Sequence, residues 1–308
     1  MGALDKIHAL AAKAVADGVD MTKAQTGGGG DYTPPAAGPT RIRFVAYIEV
    51  GKQKATYQGR PKTEDTVILV FELSGPKHPP TVTESGEKIP HRITIKLNKS
   101  LNEKAKFFKL FQVMNYQGKA THMAQLLGEA FKATVVHREW SKGDKKGVEA
   151  ELYDKVKGAF TIEPPRYEVV QDGEPTGEFA VLKVDPAITP IKCFLWAHAD
   201  MEQWADIFID GEYPERKDEK TGAVIAPAKS KNRFQNLIKT AVNFEGSPIH
   251  QLLVAGGATI DIPDAEQVRD DVPGEGDDEV PAAPPPKSAA EAAPTGQAAT
   301  DALAGIVG

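Results

Sequence analysis

Between Gly51 and Asp65 the chain sets Lys52, Lys54, Arg60 and Lys62 around one aromatic, Tyr57. Between Trp140 and Lys146 it repeats that combination with Lys142, Lys145 and Lys146, and Tyr153 follows shortly after. Amines and guanidinium groups pair with phosphate oxygens, and aromatic rings stack on base faces. A cationic groove carrying such rings is what binding a nucleic-acid single strand without sequence preference requires, each stack contributing ~1–3 kcal/mol. Arg41, Arg43 and Lys96 add cations in the flanking segments. One lysine-rich hairpin loop is equally well explained as a solvated edge that discourages aggregation. Two loops with the same chemistry point to binding. Catalytic patterns are absent from the sequence: the histidines are scattered, with no HExxH, no Walker motif and no GxSxG elbow. Neither catalysis nor a cofactor or metal is expected.

The elements that must carry these residues follow from periodicity. Thr40–Val50 alternates, which puts Ile42, Phe44, Ala46, Ile48 and Val50 on one face and Arg41, Arg43, Val45, Tyr47 and Glu49 on the other. Thr66–Leu73 is a continuous apolar run, and His91–Leu97 alternates again. Phe131–Glu139 and Gly147–Val156 flank a turn. A helix is expected after Ser100–Glu103, which has the form of a capping box, with Phe107, Phe108, Phe111 and Met114 on one side. A second short helix, Thr121–Leu127, stops at Gly128.

The expected class is therefore mainly β with helices (α+β). Three strands, a helix and two more strands is the order of an OB-fold, a five-stranded, partly open barrel. Such barrels bind oligonucleotides on the face of strands two and three and on the loops joining strands one to two and four to five. Here those loops would be 51–65 and 140–146.

Charge divides the 308 residues unevenly. From Arg41 to Trp140 there are 17 Lys and Arg against 9 Asp and Glu; from Asp261 to Gly308 there are 2 against 11. A basic body with an acidic tail presents partners with local potentials that the net charge of −6 conceals. The tail, 261–308, lacks aromatics and is rich in proline and alanine, so disorder is expected there. Its acids, among them Asp270, Asp271, Asp277, Asp278 and Glu279, can compete with phosphate for the groove or recruit partners. Residues 3–25 read as an amphipathic helix suited to docking or self-association, 26–39 as a Gly/Pro linker, 40–160 as the barrel and 161–260 as an accessory segment packed on it. No secretory signal or membrane span is expected, and the single cysteine, Cys193, excludes an intramolecular disulfide.

The succession RIRFVAYIEVGKQKATYQGRPKTEDTVILVFEL, ITIKLNKSLNEKAKFFKLFQVMNYQGK and LLGEAFKATVVHREWSKGDKKGVEAELYDKVKG resembles bacteriophage-encoded single-stranded DNA-binding proteins of OB-fold type with acidic C-terminal tails. The resemblance implies a protein of the bacterial host cytoplasm that coats DNA during replication and recombination. It also implies a tail that touches phage replication proteins. A phage structural or protein–protein interaction module on an OB-like barrel is the alternative, and a strand-annealing mediator is a third reading.

Overall fold

The computed structural model describes residues 33–265 and 268, apart from 58, 84–85, 143–144 and 218–220, and without the side chains of Tyr57, Lys142, Lys145, Arg216, Ile225 and Ala226. The expected N-terminal helix, most of the linker and the tail acids from Asp270 to Glu279 lie outside the described residues.

The alternating and apolar runs become strands of one large antiparallel sheet. β1 (Gly38–Tyr57) pairs with β2 (Arg60–Ser74), and β3 (Arg92–Asn98) takes the far edge of β2. β4 (Ala130–Lys142) pairs with β1, and β5 (Lys145–Glu151) with β4, so the order is β3-β2-β1-β4-β5. β6 (Arg166–Gln171) and β7 (Glu174–Val181) form a separate hairpin, as the alternation on either side of QDGEPTGE suggests. β8 (Lys192–Phe194) joins β1 in parallel. The fold is mainly β.

Pairing is staggered. β1 gives one edge to β4 over Gly38–Arg43 and then to β8 over Ala46–Ile48. β4 gives Ala130–Val135 to β1 and the rest of its length to β5. Both β1 and β2 are buried on two faces, which explains the unbroken apolar run in β2. Val67, Leu69, Phe71 and Leu73 enter a first core with β3, β4 and α1 (Lys106–Met114). Ile68 and Val70 enter a second core beneath residues of the 194–253 segment, including Phe194, Trp204, Phe234 and Leu237.

The face assignment expected for β1 holds only at its start. The register runs from Phe44 opposite Phe71 to Ala46 opposite Val70, leaving Val45 as an extra residue. Side chains alternate with a period of two, so one inserted residue exchanges the faces beyond it. Ile42 and Phe44 point into the first core, whereas Ala46, Ile48 and Val50 point into the second and Tyr47 into the first.

The first helix also departs from expectation. α1 begins at Lys106 with Ala105 at its N-cap and no side-chain cap. Ser100 Oγ instead accepts from the Asn102 amide at 3.3 Å, and Asn102 Oδ1 accepts from that of Lys104 at 2.9 Å, so these side chains shape a turn ahead of the helix. Leu110 takes the core position beside Phe107 and Met114, while Phe108 stays partly exposed. The short helix is a 3-10 turn, Met123–Leu126, and the capping box is here, between His122 and Gln125. α2 (Met201–Asp206), α3 (Arg233–Lys239) and α4 (Pro248–Ala255) belong to the accessory segment.

Candidate nucleic-acid interface

The segment expected as the first binding loop is an arm. β1 and β2 continue past the rest of the sheet as a two-stranded ribbon, with Lys52 opposite Asp65 and Tyr57 opposite Arg60. A turn closes it at Gly59, whose φ of +75° favours glycine. Strand alternation divides the cation cluster. Lys52, Lys54 and Thr63 are exposed on one face. On the other, Gln53 is buried, and Lys62 is partly buried with its ammonium 2.6 Å from Glu64. Arg60 is exposed at the tip. Gly51 does not loosen the backbone as a free hinge would. It has a φ of +73° and lies against the Trp196 ring.

The second expected loop is likewise a ribbon, β4–β5, in which Trp140 stands opposite Gly147 and covers it. The ribbon from Arg138 to Trp140 and from Lys146 to Glu151 forms one wall of a cleft of about 760 Å³, and β3 lines the other. These are the two terminal strands of the main sheet order, so the sheet curls until its edges confront each other across the cleft. On β3, Ile93, Ile95 and Leu97 turn into the core, while Arg92, Thr94 and Lys96 alternate away from it. From the other side Trp140, Lys146 and Tyr153 reach the same space. Tyr153 is held on edge against Phe160 with ring centres 5.1 Å apart, and the Lys106 ammonium lies 4.2 Å from its ring centre. Arg138 is ion-paired with Glu149 at 2.6 Å and with Glu151.

Arm and cleft meet along β3. Asn98, its last residue, donates to the arm's Glu64 at 3.0 Å, and Lys96, two positions earlier, lines the cleft. Residues ahead of β1 border the cleft as well. The Pro35 carbonyl accepts from His137 at 2.8 Å, so His137 is a satisfied structural residue that positions this strap.

Lys96, Trp140, Lys146 and Tyr153, expected as binding residues from separate stretches of sequence, therefore come together in one cleft. Lys52, Lys54, Arg60 and Lys62 stand apart on the arm. Arg43 serves neither. Its guanidinium donates to the carbonyls of Gly128 (2.6 Å), Val184 (2.8 Å) and Asp185 (3.0 Å), which commits it to the fold. Arg41 is partly buried on β1, between Ser74 of β2 and Lys132 of β4. Sequence reasoning missed Arg92 and Phe160. The alternation of HRITIKL carried a signal for Arg92, since it shares a strand face with Lys96; for Phe160 there was none.

A buried carboxylate joins the accessory segment to the sheet. Glu49 accepts from the Tyr47 hydroxyl (3.0 Å), the Lys99 ammonium (2.9 Å) and the Trp196 amide (2.9 Å). Burial, and then the Glu49 charge, pushes both the Tyr47 phenol and the Cys193 thiol up. Among the described residues, no group of three or more His, Cys, Asp or Glu is placed to hold a metal ion, and no helix is long and apolar enough to cross a membrane. No protein-family model, curated protein or solved structure matches the chain.

Proposed function

We propose that the chain is a sequence-tolerant, non-enzymatic single-stranded DNA-binding protein that coats and protects DNA during phage replication and recombination. The observation that carries this reading is the convergence of Lys96, Trp140, Lys146 and Tyr153 on one cleft between two strand edges. Rings there stack bases, and the cations of the cleft and arm hold phosphate. An OB-type barrel is the architecture we assign. In its favour are the order β3-β2-β1-β4-β5, a helix between the third and fourth strands, and the stagger that curling a sheet into a barrel requires. The acidic tail is a tethered competitor for the same cations, at an effective concentration of about millimolar.

The test is fluorescence anisotropy of labelled oligo-dT with the full chain and with a chain ending at Ile260, at low and moderate salt. Salt-sensitive binding that tightens on tail removal, with duplex binding far weaker, is the expected result. Absence of binding by both chains overturns the proposal. It would favour the second reading, a protein–protein interaction module, for which the β6–β7 hairpin speaks. Tyr167, Phe179 and Val181 are 54%, 53% and 81% exposed there.

A further inference from the structure

The basic arm leaves the sheet as two strands, and on the β2 side its base is tied to the end of β3, where the Lys99 amide donates to the Asp65 carbonyl at 2.7 Å and Asn98 to Glu64 at 3.0 Å. β3 stops pairing with β2 at Thr66, β4 with β1 at Arg43, and β8 with β1 at Ile48. Beyond these points Lys52–Tyr57 and Arg60–Asp65 ladder with each other and with no third strand among the described residues, and a two-stranded ribbon is marginal in water. The loop after α3 supplies part of what a third strand would. Asn243 Oδ1 accepts the Lys52 amide at 2.7 Å, and the Val242 amide donates to the Lys52 carbonyl at 2.8 Å. Next to this pair, Gln53 is only 4% exposed. Its Nε2 donates to the carbonyls of Val50 (2.8 Å) and Leu237 (3.0 Å), and its Oε1 accepts from Thr240 at 3.4 Å. At Gly51 a Cβ would lie 2.3 Å from a carbon of the Trp196 ring, so only glycine lets that ring close against the strand.

These contacts fix which way the arm faces. Gln53 is turned toward α3, so Lys52 and Lys54, its neighbours on either side, are turned outward. We infer that Trp196, α3 and the loop after it form a brace that presents Lys52 and Lys54 to the phosphate chain, with Gln53 and Asn243 as positioning residues. The inference rests on the single-strand reading. It gives the accessory segment a role in affinity: cations on a held ribbon lose less freedom on binding than cations on a floppy one.

The test uses the full chain with Asn243→Ala and Asn243→Asp, measured by amide hydrogen exchange and by oligo-dT titration. Each is repeated in a Lys52→Ala/Lys54→Ala background. Asn243→Ala should speed exchange in Lys52–Tyr57 and leave the first core protected. It should also weaken oligo-dT binding about 2- to 10-fold, the worth of one hydrogen bond. Asn243→Asp keeps the acceptor and restores exchange protection. In the Lys52→Ala/Lys54→Ala background Asn243→Ala costs no further affinity, because a positioning residue acts only through what it positions. Unchanged exchange, or an equal loss in both backgrounds, overturns the brace. If the parent chain binds no oligo-dT, the function reading falls by itself, and the exchange data still decide whether Asn243 holds the arm.

Discussion

Arg43 and Glu72 stand directly opposite each other on β1 and β2 and grip one passing segment by opposite polarities. Arg43 donates to the carbonyls of Val184 and Asp185, and the Glu72 carboxylate accepts the amides of Ile188 (2.9 Å) and Thr189 (2.6 Å). Together they clamp the chain where it crosses from the hairpin to the second core. Arg43→Ala should therefore lower stability by about 1.5–3 kcal/mol, the range for hydrogen bonds to a charged group. Arg43→Lys should not rescue it, since an ammonium cannot reproduce the planar fork. Urea unfolding reads the loss, and oligo-dT affinity of the folded variant should stay unchanged. An affinity loss without a stability loss would return Arg43 to the phosphate-binding set.

Stacking in the cleft makes its own demand. Tyr153→Ala and Trp140→Ala should each weaken oligo-dT binding by about 1–3 kcal/mol. Trp140→Phe should keep most of the affinity while removing the cleft's indole fluorescence. Titration with oligo-dT should quench emission in the parent chain and much less in Trp140→Phe, because the other tryptophans, Trp196 and Trp204, pack against the second core.

Salt dependence separates the lysines of the arm. Lys52 and Lys54 have exposed side chains, whereas Lys62 already has Glu64 at 2.6 Å. For single strands each neutralised phosphate contributes about −0.7 to the slope of log affinity against log salt. Lys52→Ala and Lys54→Ala should each make that slope shallower by about this amount. Lys62→Ala should change it less, since its charge is largely compensated. Equal effects at all three positions would contradict the division of the ribbon into two faces.

Acid should loosen the strap beside the cleft. His78 is 1% exposed, its Nε2 is 2.8 Å from the Ala36 carbonyl, and its Nδ1 is buried without a hydrogen-bond partner. Burial pushes its pKa below the ordinary value of 6.5, an effect opposed by the Ala36 hydrogen bond and reinforced by His91 and Lys77. The unfolded chain then takes up the proton first. This contribution to stability is complete above about pH 6.5 and falls as pH drops through that value toward the folded pKa. Thermal melts of the parent chain and His78→Gln between about pH 7.5 and 5.5 should show the parent losing more Tm. Parallel curves would refute the assignment.

Much of this protein could be read from one-dimensional pattern. An alternating run with one buried face, such as HRITIKL, and an unbroken run with two, such as Val67–Leu73, each have one economical backbone solution, the strand. Ser247-Pro248 opened a helix for equally local reasons: a hydroxyl that caps and a ring that suits the first turn. The cation-and-ring chemistry was visible too, because residue type alone carries it.

Position was another matter. One extra residue at Val45 exchanged the faces of β1, and nothing in an alternating sequence marks where a bulge will fall. Ribbon geometry divided Lys52 and Lys54 from Lys62, although all three look alike in a list of charges. The cleft exists only because strands separated by a helix and a 3-10 turn curl until their edges face each other, bringing Lys96 across from Trp140, Lys146 and Tyr153. Arg43 lost its expected role to carbonyls some 140 positions along the chain. Residue chemistry is a local property that sequence determines; which groups share a space depends on long-range pairing and packing, and only the tertiary structure decided that.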